Sequence, residues 1–593
     1  MPRDFEIIRR QAFEAHAVAA LPRLDAQTGM IASHVPPSSG AHSRAGGWDI
    51  RATSHAALAL AATGRDEPAW KALRGVLDHQ DRDPASMTYG NFFWHSNWTT
   101  ALDPNAASFI VPGLCYTLAH CADRLPPALA QDLRTCLARA VEGLNAHRAT
   151  WGYTNIALLN MAAKLMIADV LDNSRARKIA YWDWEEWRNH TVRLATIPEY
   201  NSLSYTTVQI DALAMMLACK TCEAFQREVR NAMRHLIASV AADYHPAVGR
   251  VTGPQSRAYE ADRRLRGHGA IDGVLHVVLG TPVSAAGFPL WLGVPIGPDD
   301  LRPEVRNLPL PRATSAENHG FRRFNYLAPD FALGSVSGRH HLYGQDVPFF
   351  VAFRAKSPRC TVAFLEQYPQ RATAHFSDQR EGALLAVSLF LLSTRAAPAQ
   401  QDPQWWEGKL TELNTGRPGD LVDDPAFRPG YTVEIGRAGE VGVVNDSGQP
   451  LRPAAPISSP VLAVDAESVC IGMRFFSLRS APDLSLREDP DGEWVLDARG
   501  VRDGRDVSAV EHAAWCGCLL YVEPKGAGVT AAGLARRMAS CRIDVTATDA
   551  GWRIHAPALD GSDLRVEINA APPTLYAVPG WNVTPNAWLS TAR

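Results

Sequence analysis

Residues 280–311, GTPVSAAGFPLWLGVPIGPDDLRPEVRNLPLP, divide this chain into two parts of different character. The stretch is rich in proline and glycine, which interrupt regular secondary structure. Before it, apolar residues recur every three or four positions, the period of an amphipathic helix. After it, apolar and polar residues alternate, the period of a β-strand. We therefore predict a helical domain over residues 1–295 and a β-domain over residues 315–593.

The helical part contains segments of about 12–20 residues joined by short connections, which predict antiparallel helix pairs wound one after another. Such pairs close naturally into an α/α toroid. The predicted helices are residues 54–63, 67–79, 106–122, 127–146, 155–171, 182–195, 204–219 and 221–242, with a shorter one ending at Val278.

The second part contains many short alternating segments with few helices between them, a pattern that predicts an antiparallel β-sandwich. The predicted strands are residues 321–327, 331–336, 349–353, 383–391, 431–435, 441–444, 469–476, 493–501, 516–522, 543–548 and 564–568. The expected fold class is thus α+β, an α/α toroid followed by an antiparallel β-sandwich.

Composition is that of an ordinary globular protein, with 46% hydrophobic and 20% charged residues over 593 positions. The formal net charge of −3 gives no general attraction for a polyanion, so we expect no nucleic-acid partner. The N-terminal segment has no apolar run typical of a signal peptide, and we find no long apolar stretch that predicts a membrane span. We therefore expect a cytoplasmic protein without a membrane partner.

The ten cysteines are scattered through apolar segments, which favours reduced, buried thiols over a disulfide framework. Cys219 and Cys222 have the spacing of a metal or redox motif, but helix packing explains them better. Cys516 and Cys518 would face the same side of a strand, in a core. We find no metal-ligand spacing and no nucleotide-binding glycine motif, so we expect neither a metal nor a cofactor.

The most informative candidate site is residues 198–205, PEYNSLSY, at the start of a predicted helix. It combines the carboxylate of Glu199 and the amide of Asn201 with the phenol of Tyr205. A helix beginning near Ser202 would place Asn201 and Tyr205 at its N-terminus, where free N–H groups and the helix dipole favour an anion. That arrangement suits a carboxylate ligand.

Three further clusters in the helical part could contribute to the same site. Residues 89–98, YGNFFWHSNW, form an aromatic and amide-rich loop suited to stacking on a sugar ring. Residues 151–155, WGYTN, begin a helix, with Thr154 as the expected cap of that helix. Residues 253–260, GPQSRAYE, present Arg257 and Tyr259 on a Gly-Pro turn ahead of a basic run that includes Arg264.

A fourth cluster, residues 339–343, RHHLY, lies in the β-domain and contributes His341. Each cluster also has a plain structural interpretation. An aromatic loop often covers a core, an asparagine often begins a helix, and a basic run is usually a solvated face.

The order of toroid and β-sandwich resembles that of polysaccharide lyases typified by the chondroitin, hyaluronate and xanthan lyases and the heparinase II/III-like enzymes. At residue level, Glu199-x-x-Ser202-x-x-Tyr205 is similar to the Glu-Gly-Ser-x-x-Tyr run of heparinase II/III-like proteins. The chain departs from that family where a histidine is expected just before the run, since the nearest is His190.

The resemblance implies cofactor-independent β-elimination on an acidic oligosaccharide or polysaccharide that contains uronate. Such a reaction needs a neutralised carboxylate, a base and an acid. The implied base and acid are Tyr205 or Tyr259, with assistance from His95 or His341. The implied carboxylate-holding residues are Asn155, Asn201 and Arg257. Further implied substrate contacts are Glu199, Trp94, Trp98 and Arg264.

Two other functions stay open at this point. A glycoside hydrolase on the same scaffold would use a pair of carboxylates, Glu199 with Asp262 or Glu260, and Asp211 is a further candidate. A carbohydrate-binding protein without chemistry would use the aromatic residues alone. The pattern does not predict the oligomeric state.

Overall fold

The computed structural model describes residues 5–33, 47–98, 103–147, 149, 151–194, 197, 199–259, 263–264, 270–281, 308–318, 321–338, 347–357, 360–366, 374–390, 430–477, 482–500, 514–526, 528–549 and 551–569. Helices dominate the first half of these residues. They are α1 (Phe5–Ala20), α2 (Ile50–Ala62), α3 (Asp66–Asp78), α4 (Ala106–His120), α5 (Pro127–Ala146), α6 (Thr154–Leu171), α7 (Ser174–Leu194), α8 (Leu203–Ala218), α9 (Glu223–Asp243) and α10 (Ala270–Leu279).

Alternate helices form an inner row in which α2 packs on α4, α4 on α6, α6 on α8, and α8 on α10. Helices α3, α5, α7 and α9 pack outside this row, each against inner neighbours. The burial of side chains follows the same division. Helices α4 and α6 are buried on nearly every side, whereas α3, α5 and α9 bury one face and leave the other polar. The starts of α2, α4, α6 and α8 contact one another in turn, so these inner helices begin at one rim of the toroid.

The predicted helices agree with the structure except at some ends. Helix α1 lies outside the predicted set, and α7 begins at Ser174 rather than at residue 182. Sequence analysis found no long apolar stretch, but helix α6 is long and apolar enough to cross a membrane by length and composition. Helix α6 has a mean hydropathy of 1.4 over 18 residues, but 78% of it is buried within the protein, as in the core helix of a globular domain.

The cysteine expectations are confirmed with one exception. All ten cysteines are free and nine are buried, but Cys222 is exposed. Cys219 follows the last residue of α8 and Cys222 precedes the first residue of α9, so the pair lies between two helices rather than inside one.

The second half of the described chain is mainly antiparallel sheet. A short hairpin, β1 (Tyr244–His245) and β2 (Arg250–Val251), precedes it. The β-domain strands are β3 (Arg312–Asn318), β4 (Phe321–Leu327), β5 (Phe331–Gly338), β6 (Phe349–Phe353), β7 (Thr361–Glu366), β8 (Ala374–Arg380), β9 (Ala383–Phe390), β10 (Gly430–Arg437), β11 (Gly442–Asn445), β12 (Pro456–Ile457), β13 (Val461–Asp465), β14 (Val469–Ser477), β15 (Asp483–Glu488), β16 (Glu493–Arg499), β17 (Ala514–Pro524), β18 (Asp544–Thr548), β19 (Gly551–Pro557) and β20 (Asp563–Asn569).

Fifteen of these strands form one sheet, with the order β11-β13-β14-β17-β9-β8-β5-β6-β7-β10-β16-β15-β12, to which β3 and β4 are added beside β5. Strands β18, β19 and β20 form a separate small sheet. A helix that the alternation did not predict, α11 (Ala531–Ser540), packs on β13 and β14.

The large sheet folds over so that its two halves share one core. Phe364 of β7 lies 6.4 Å from Phe475 of β14, measured between ring centroids, although these strands are far apart in the sheet order. Tyr431 of β10 packs edge-on against Phe364, and its hydroxyl donates to the carbonyl of Cys516 in β17. The predicted α+β class, a toroid followed by an antiparallel β-sandwich, is confirmed. The predicted boundary between the domains falls largely in residues 282–307, outside the described residues.

A buried carboxylate joins the two domains. Asp243, the last residue of α9, accepts hydrogen bonds from Asn201 (3.0 Å) and from Asn325 of β4 (3.1 Å), and from the hydroxyl of Thr314 in β3. The guanidinium of Arg323 lies 3.7 Å away. A carboxylate at the C-terminus of a helix is disfavoured by the helix dipole, so these donors from both domains account for its burial there.

We predict that Asp243→Ala strongly destabilises the protein, because the variant leaves buried donors in both domains without an acceptor. The expected loss is about 3–5 kcal/mol of unfolding free energy, measured by chemical denaturation. Asp132→Ala removes a carboxylate that is 52% exposed and should cost less than about 0.5 kcal/mol. Equal effects of the two substitutions would contradict the role given to Asp243.

Candidate active site

The run that includes Tyr205 begins α8 as the sequence predicts. Ser202 is the N-cap residue of this helix, and its hydroxyl accepts the backbone N–H of Tyr205 at 3.2 Å. Asn201 precedes it with a φ of 49°, a left-handed conformation that asparagine tolerates better than most residues. The cap therefore fixes Tyr205 in the first turn of an inner helix, at the rim of the toroid.

The neighbouring inner helix, α6, is capped by a side chain from a different segment. The backbone N–H of Asn155 donates to Oε2 of Glu199 at 2.7 Å. The prediction that Thr154 caps this helix was wrong, since Tyr153 occupies the N-cap position and makes no side-chain cap. A carboxylate at this position is stabilised by the helix dipole.

Glu199 also forms a buried ion pair. Nη1 of Arg257 donates to its Oε1 at 2.5 Å, and Nε2 of Gln209 donates to its Oε2 at 3.2 Å. Burial raises the pKa of Glu199 above its ordinary value, while Arg257 and the N–H of Asn155 act in the opposite direction. Only 1% of Glu199 is exposed, so its carboxylate does not reach solvent. Its role is to hold Arg257 and the start of α6 in place.

Residues 253–257 hold Arg257 between the two domains. The backbone of Gln255 pairs with Val347 of the β-domain through two hydrogen bonds, of 3.0 and 2.9 Å. On the other side, the hydroxyl of Ser202 donates to the carbonyl of Arg257 at 3.1 Å. Arg257 itself has a φ of 57°, a left-handed backbone conformation that is sterically disfavoured. The contacts with both domains maintain it.

A glycine in β5 permits the close contact between the β-domain and residues 253–257. A Cβ atom on Gly334 of β5 would lie 2.4 Å from the Cα of Gly253. Strand β5 can therefore approach the Arg257 turn only because residue 334 has no side chain.

The Arg257 guanidinium lies between two aromatic rings. Its Cζ is 3.9 Å from the ring centroid of Tyr205 and 4.8 Å from that of Tyr153. Its Nη2 donates to the hydroxyl of Tyr205 at 2.9 Å. A cation in this position stabilises negative charge on the Tyr205 oxygen more than it stabilises the neutral phenol.

Tyr205 and Tyr259 form a phenol pair. Their hydroxyl groups are hydrogen-bonded to each other and their ring centroids are 5.7 Å apart. Tyr259 is 43% exposed, so the pair reaches the surface above the buried Arg257. Burial raises the pKa of Tyr205 well above its ordinary value, and the charge of Arg257 opposes this shift. The hydroxyl groups of the pair can pass a proton between them.

The other ring at Arg257 is supported by a second polar chain. The amide of Asn105 donates to the hydroxyl of Tyr153 at 3.1 Å, and its Oδ1 is 2.8 Å from Nε2 of His147. All three side chains are buried. Sequence analysis did not assign a role to Tyr153, Asn105 or Gln209, because their importance depends on contacts with distant segments.

Two predicted substrate contacts lie in structural networks. The amide nitrogen of Asn201 donates to Asp243 and its Oδ1 accepts from Arg323 at 3.2 Å, so both ends of the amide are engaged at the domain junction. Arg264 donates to Glu434 of β10 at 3.1 Å and to Asp489 at 2.7 Å. These partners favour a structural role for both residues.

The aromatic loop lies beside the N-terminus of α2. The N–H of Ile50 donates to the carbonyl of Trp94 at 3.0 Å, and Asp49 forms a bridge with His95. The ring of His95 is buried and packs edge-on against that of Trp98. Trp94 contacts the side chain of Arg51, which sequence analysis did not identify.

Three predicted residues, His341, Glu260 and Asp262, lie outside the described residues. Their assignments stay predictions. The described residues contain no group of three or more histidine, cysteine, aspartate or glutamate side chains arranged to hold a metal ion.

Comparisons with known proteins give one family profile over part of the chain and several solved structures of low similarity. Residues 32–275 match a family profile described as a domain of unknown function, DUF8769. No curated protein sequence matches the chain. A crystal structure of heparinase III is similar over 94% of this chain and 90% of its own, with 9% identity and a TM-score of 0.46.

A second heparinase III structure covers 95% of this chain and 90% of its own, at 11% identity and a TM-score of 0.35. The heparan sulfate lyase HepC from Pedobacter heparinus covers 88% and 81%, at 10% identity and a TM-score of 0.33. At such identities and TM-scores the likeness carries no information about the function of this chain.

We predict that Glu199→Gln lowers both stability and any catalytic turnover, because it leaves the buried Arg257 without a counter-ion. The unfolding free energy should fall by about 3–5 kcal/mol in chemical denaturation. The control Glu185→Gln changes a carboxylate that is 55% exposed and should shift the free energy by less than about 0.5 kcal/mol. A Glu199→Gln protein as stable as the original would show that the ion pair does not anchor the site.

Proposed function

We propose that the protein is a lyase that cleaves a uronate-containing glycan by β-elimination, with Tyr205 and Tyr259 as the proton-transfer pair. One observation carries the proposal. Two phenol oxygens share a hydrogen bond at the rim of the toroid, and one of them accepts a hydrogen bond from a buried arginine. Such a pair can both remove and deliver a proton at adjacent atoms of a sugar.

The reaction starts from a pair that has lost one proton. The resulting phenolate is stabilised by the other phenol and, on Tyr205, by Nη2 of Arg257. The phenolate removes the proton from C5 of the uronate. The C5–H electrons form the C4=C5 double bond as the C4–O4 bond breaks, and the other phenol gives its proton to O4.

A proton then crosses the hydrogen bond between Tyr205 and Tyr259 and restores the pair. The proton that leaves C5 is thus balanced by the proton gained by O4, and the protein is unchanged. This balance accounts for a site that uses two phenols in contact rather than one.

Buried groups beneath the pair support the negative charge that develops on the substrate. Arg257 contributes a fixed positive charge, and Glu199 holds it in place. The amide nitrogen of Asn155 is buried and has no acceptor among the described residues, so it is free to donate to an oxyanion. Electrostatic stabilisation of this kind is often the largest contribution to rate.

The same geometry weighs against a hydrolase that uses Glu199. A general acid or nucleophile must reach the glycosidic bond, whereas both oxygens of Glu199 are engaged with Arg257, Gln209 and the N–H of Asn155. The phenol pair, in contrast, is accessible at the surface.

We predict that Tyr205→Phe and Tyr259→Phe each lower turnover by about 10²–10⁴-fold while substrate binding changes little, since only a proton-transfer group is lost. A panel of polyuronates and uronate-containing glycans is first screened for ultraviolet absorbance of a C4=C5 double bond conjugated to the carboxylate. The best substrate is then used for kcat and binding measurements.

The matched control is Tyr181→Phe, which removes a hydroxyl that accepts a hydrogen bond from the N–H of Cys222, at the start of outer helix α9. Its turnover should stay within about twofold of the original. New reducing ends without the ultraviolet product would replace the lyase with a hydrolase. Binding without any product would leave only a carbohydrate-binding protein.

We predict that kcat/KM rises with pH by up to about tenfold per pH unit through the neutral range. The reactive pair has lost one proton, and burial raises the pKa of Tyr205, so this form is scarce at neutral pH and becomes more abundant as pH rises. Initial rates over a range of buffers test this. A profile that falls above pH 6 would point to a protonated carboxyl or histidine as the essential acid.

A further inference from the structure

We propose that Arg51 binds the carboxylate of the uronate at the cleavage point, which makes it the residue that selects free uronates over their esters. This inference rests on the proposed lyase function and identifies a part of the site that sequence analysis did not include. It assigns the direct carboxylate contact to a segment of the chain far from Tyr205.

Arg51 lies at the same rim as the phenol pair. It occupies the first turn of inner helix α2, and Tyr205 occupies the first turn of inner helix α8. Arg51 stacks on Phe109 in the first turn of α4, and Asn105 at the start of the same helix donates to Tyr153, whose ring contacts Arg257 beneath the phenol pair. Negative charge on Tyr205 or Tyr259 raises the pKa of Arg51. A substrate group held by Arg51 would therefore lie next to the proton-transfer pair.

The guanidinium of Arg51 has no hydrogen bond and no ion pair among the described residues; its contacts are with aromatic rings. The neighbouring carboxylate, Asp49, caps α2 by accepting the N–H of Ala52 at 2.8 Å. Burial lowers the pKa of Arg51, and the nearby charge of Asp49 opposes this shift. A partly buried cation without a partner is a position where an anion binds favourably.

The place of Arg51 in its helix adds a second argument. A cation in the first turn of a helix is disfavoured by the helix dipole, and stability alone would favour an acidic or neutral residue there. An oxyanion bound at Arg51 would interact favourably with the same helix N-terminus. The position is therefore unfavourable for folding and favourable for ligand binding.

Aromatic rings orient the guanidinium. Its Cζ lies 4.3 Å from the ring centroid of Phe109 and 5.7 Å from that of Trp94. A guanidinium stacked on a ring keeps its N–H groups free at the edge, in the planar fork that matches a carboxylate. The indole N–H of Trp94 is also buried without an acceptor among the described residues, so a second donor lies close by.

Arg257 is less suited to this contact. It is 7% exposed, and it already donates to Glu199 and to Tyr205. The two arginines thus have different roles. Arg257 supports the phenol pair from below, and Arg51 neutralises the substrate carboxylate, which makes the C5 proton more acidic.

The test measures binding by calorimetry in the Tyr259→Phe background, where the expected turnover is too slow to consume the ligand. The probes are hexasaccharides of galacturonate, of mannuronate, and of alternating glucuronate and N-acetylglucosamine, each as the free acid and as the methyl ester. Arg51→Met keeps an apolar stem on Phe109 but removes the charge. It should weaken binding of the recognised free acid by about 10- to 100-fold and leave its ester within about twofold.

Arg51→Lys keeps the charge without the planar fork and should give an intermediate loss for the acid alone. It also keeps the test decisive if Arg51→Met unfolds, which thermal melting would reveal. Arg175→Met, on an arginine whose side chain is 70% exposed, is the control and should bind like the parent.

If Arg51→Met weakens binding of the acid and the ester equally, or weakens binding of neither, the assignment to Arg51 is overturned. Either result leaves the lyase proposal intact. If the parent protein binds no free acid at all, the Arg51 assignment fails. The lyase proposal fails separately if the original protein forms no C4=C5 product from any glycan in the screen.

Discussion

The buried ion pair between Glu199 and Arg257 is the interaction on which the rest of the site depends. One carboxylate caps α6, fixes the guanidinium and, through that guanidinium, positions the hydroxyl of Tyr205. A buried pair of this kind contributes little net stability compared with an apolar core, but removal of one partner is costly. Its role here is to fix geometry, because it holds the starts of α6 and α8 and the turn that carries Arg257 close together.

The ion pair lies at the rim because of how the toroid is built. The inner helices α2, α4, α6 and α8 contact one another at their starts, which brings their first turns together at this rim. The helix dipoles favour negative charge at these first turns, and the carboxylates of Asp49 and Glu199 already cap two of them. The charge of Arg257 is paired with Glu199, whereas the guanidinium of Arg51 contacts only aromatic rings among the described residues. This difference is the reason for proposing that the carboxylate of an acidic sugar binds at Arg51.

The β-domain completes the site although none of its described side chains belongs to the phenol pair. It holds residues 253–257 by pairing the backbone of Gln255 with Val347, and it encloses the carboxylate of Asp243 from the opposite side. Glu434 of β10 adds a second tie, since Arg263 and Arg264 both donate to it. The turn that carries Arg257 is thus rigid because both domains contact it, which explains how its left-handed backbone is maintained.

The sequence alone determined the fold class, because the periods of 3.6 and 2 record directly which faces of helices and strands are buried. It also indicated Tyr205, Tyr259 and Arg257 as candidate site residues, from the phenols and the guanidinium that it places at a helix start and a Gly-Pro turn. Only the tertiary structure decided their relations. Glu199 meets Arg257, and Arg51 approaches the phenol pair, across long stretches of chain, and periodicity carries no information about such contacts. The predicted strands also omit β3, β7, β8, β12, β13, β15 and β19. For the polar strands β3 and β8 the reason is that pairing with neighbouring strands, and not their own pattern, makes them part of the sheet.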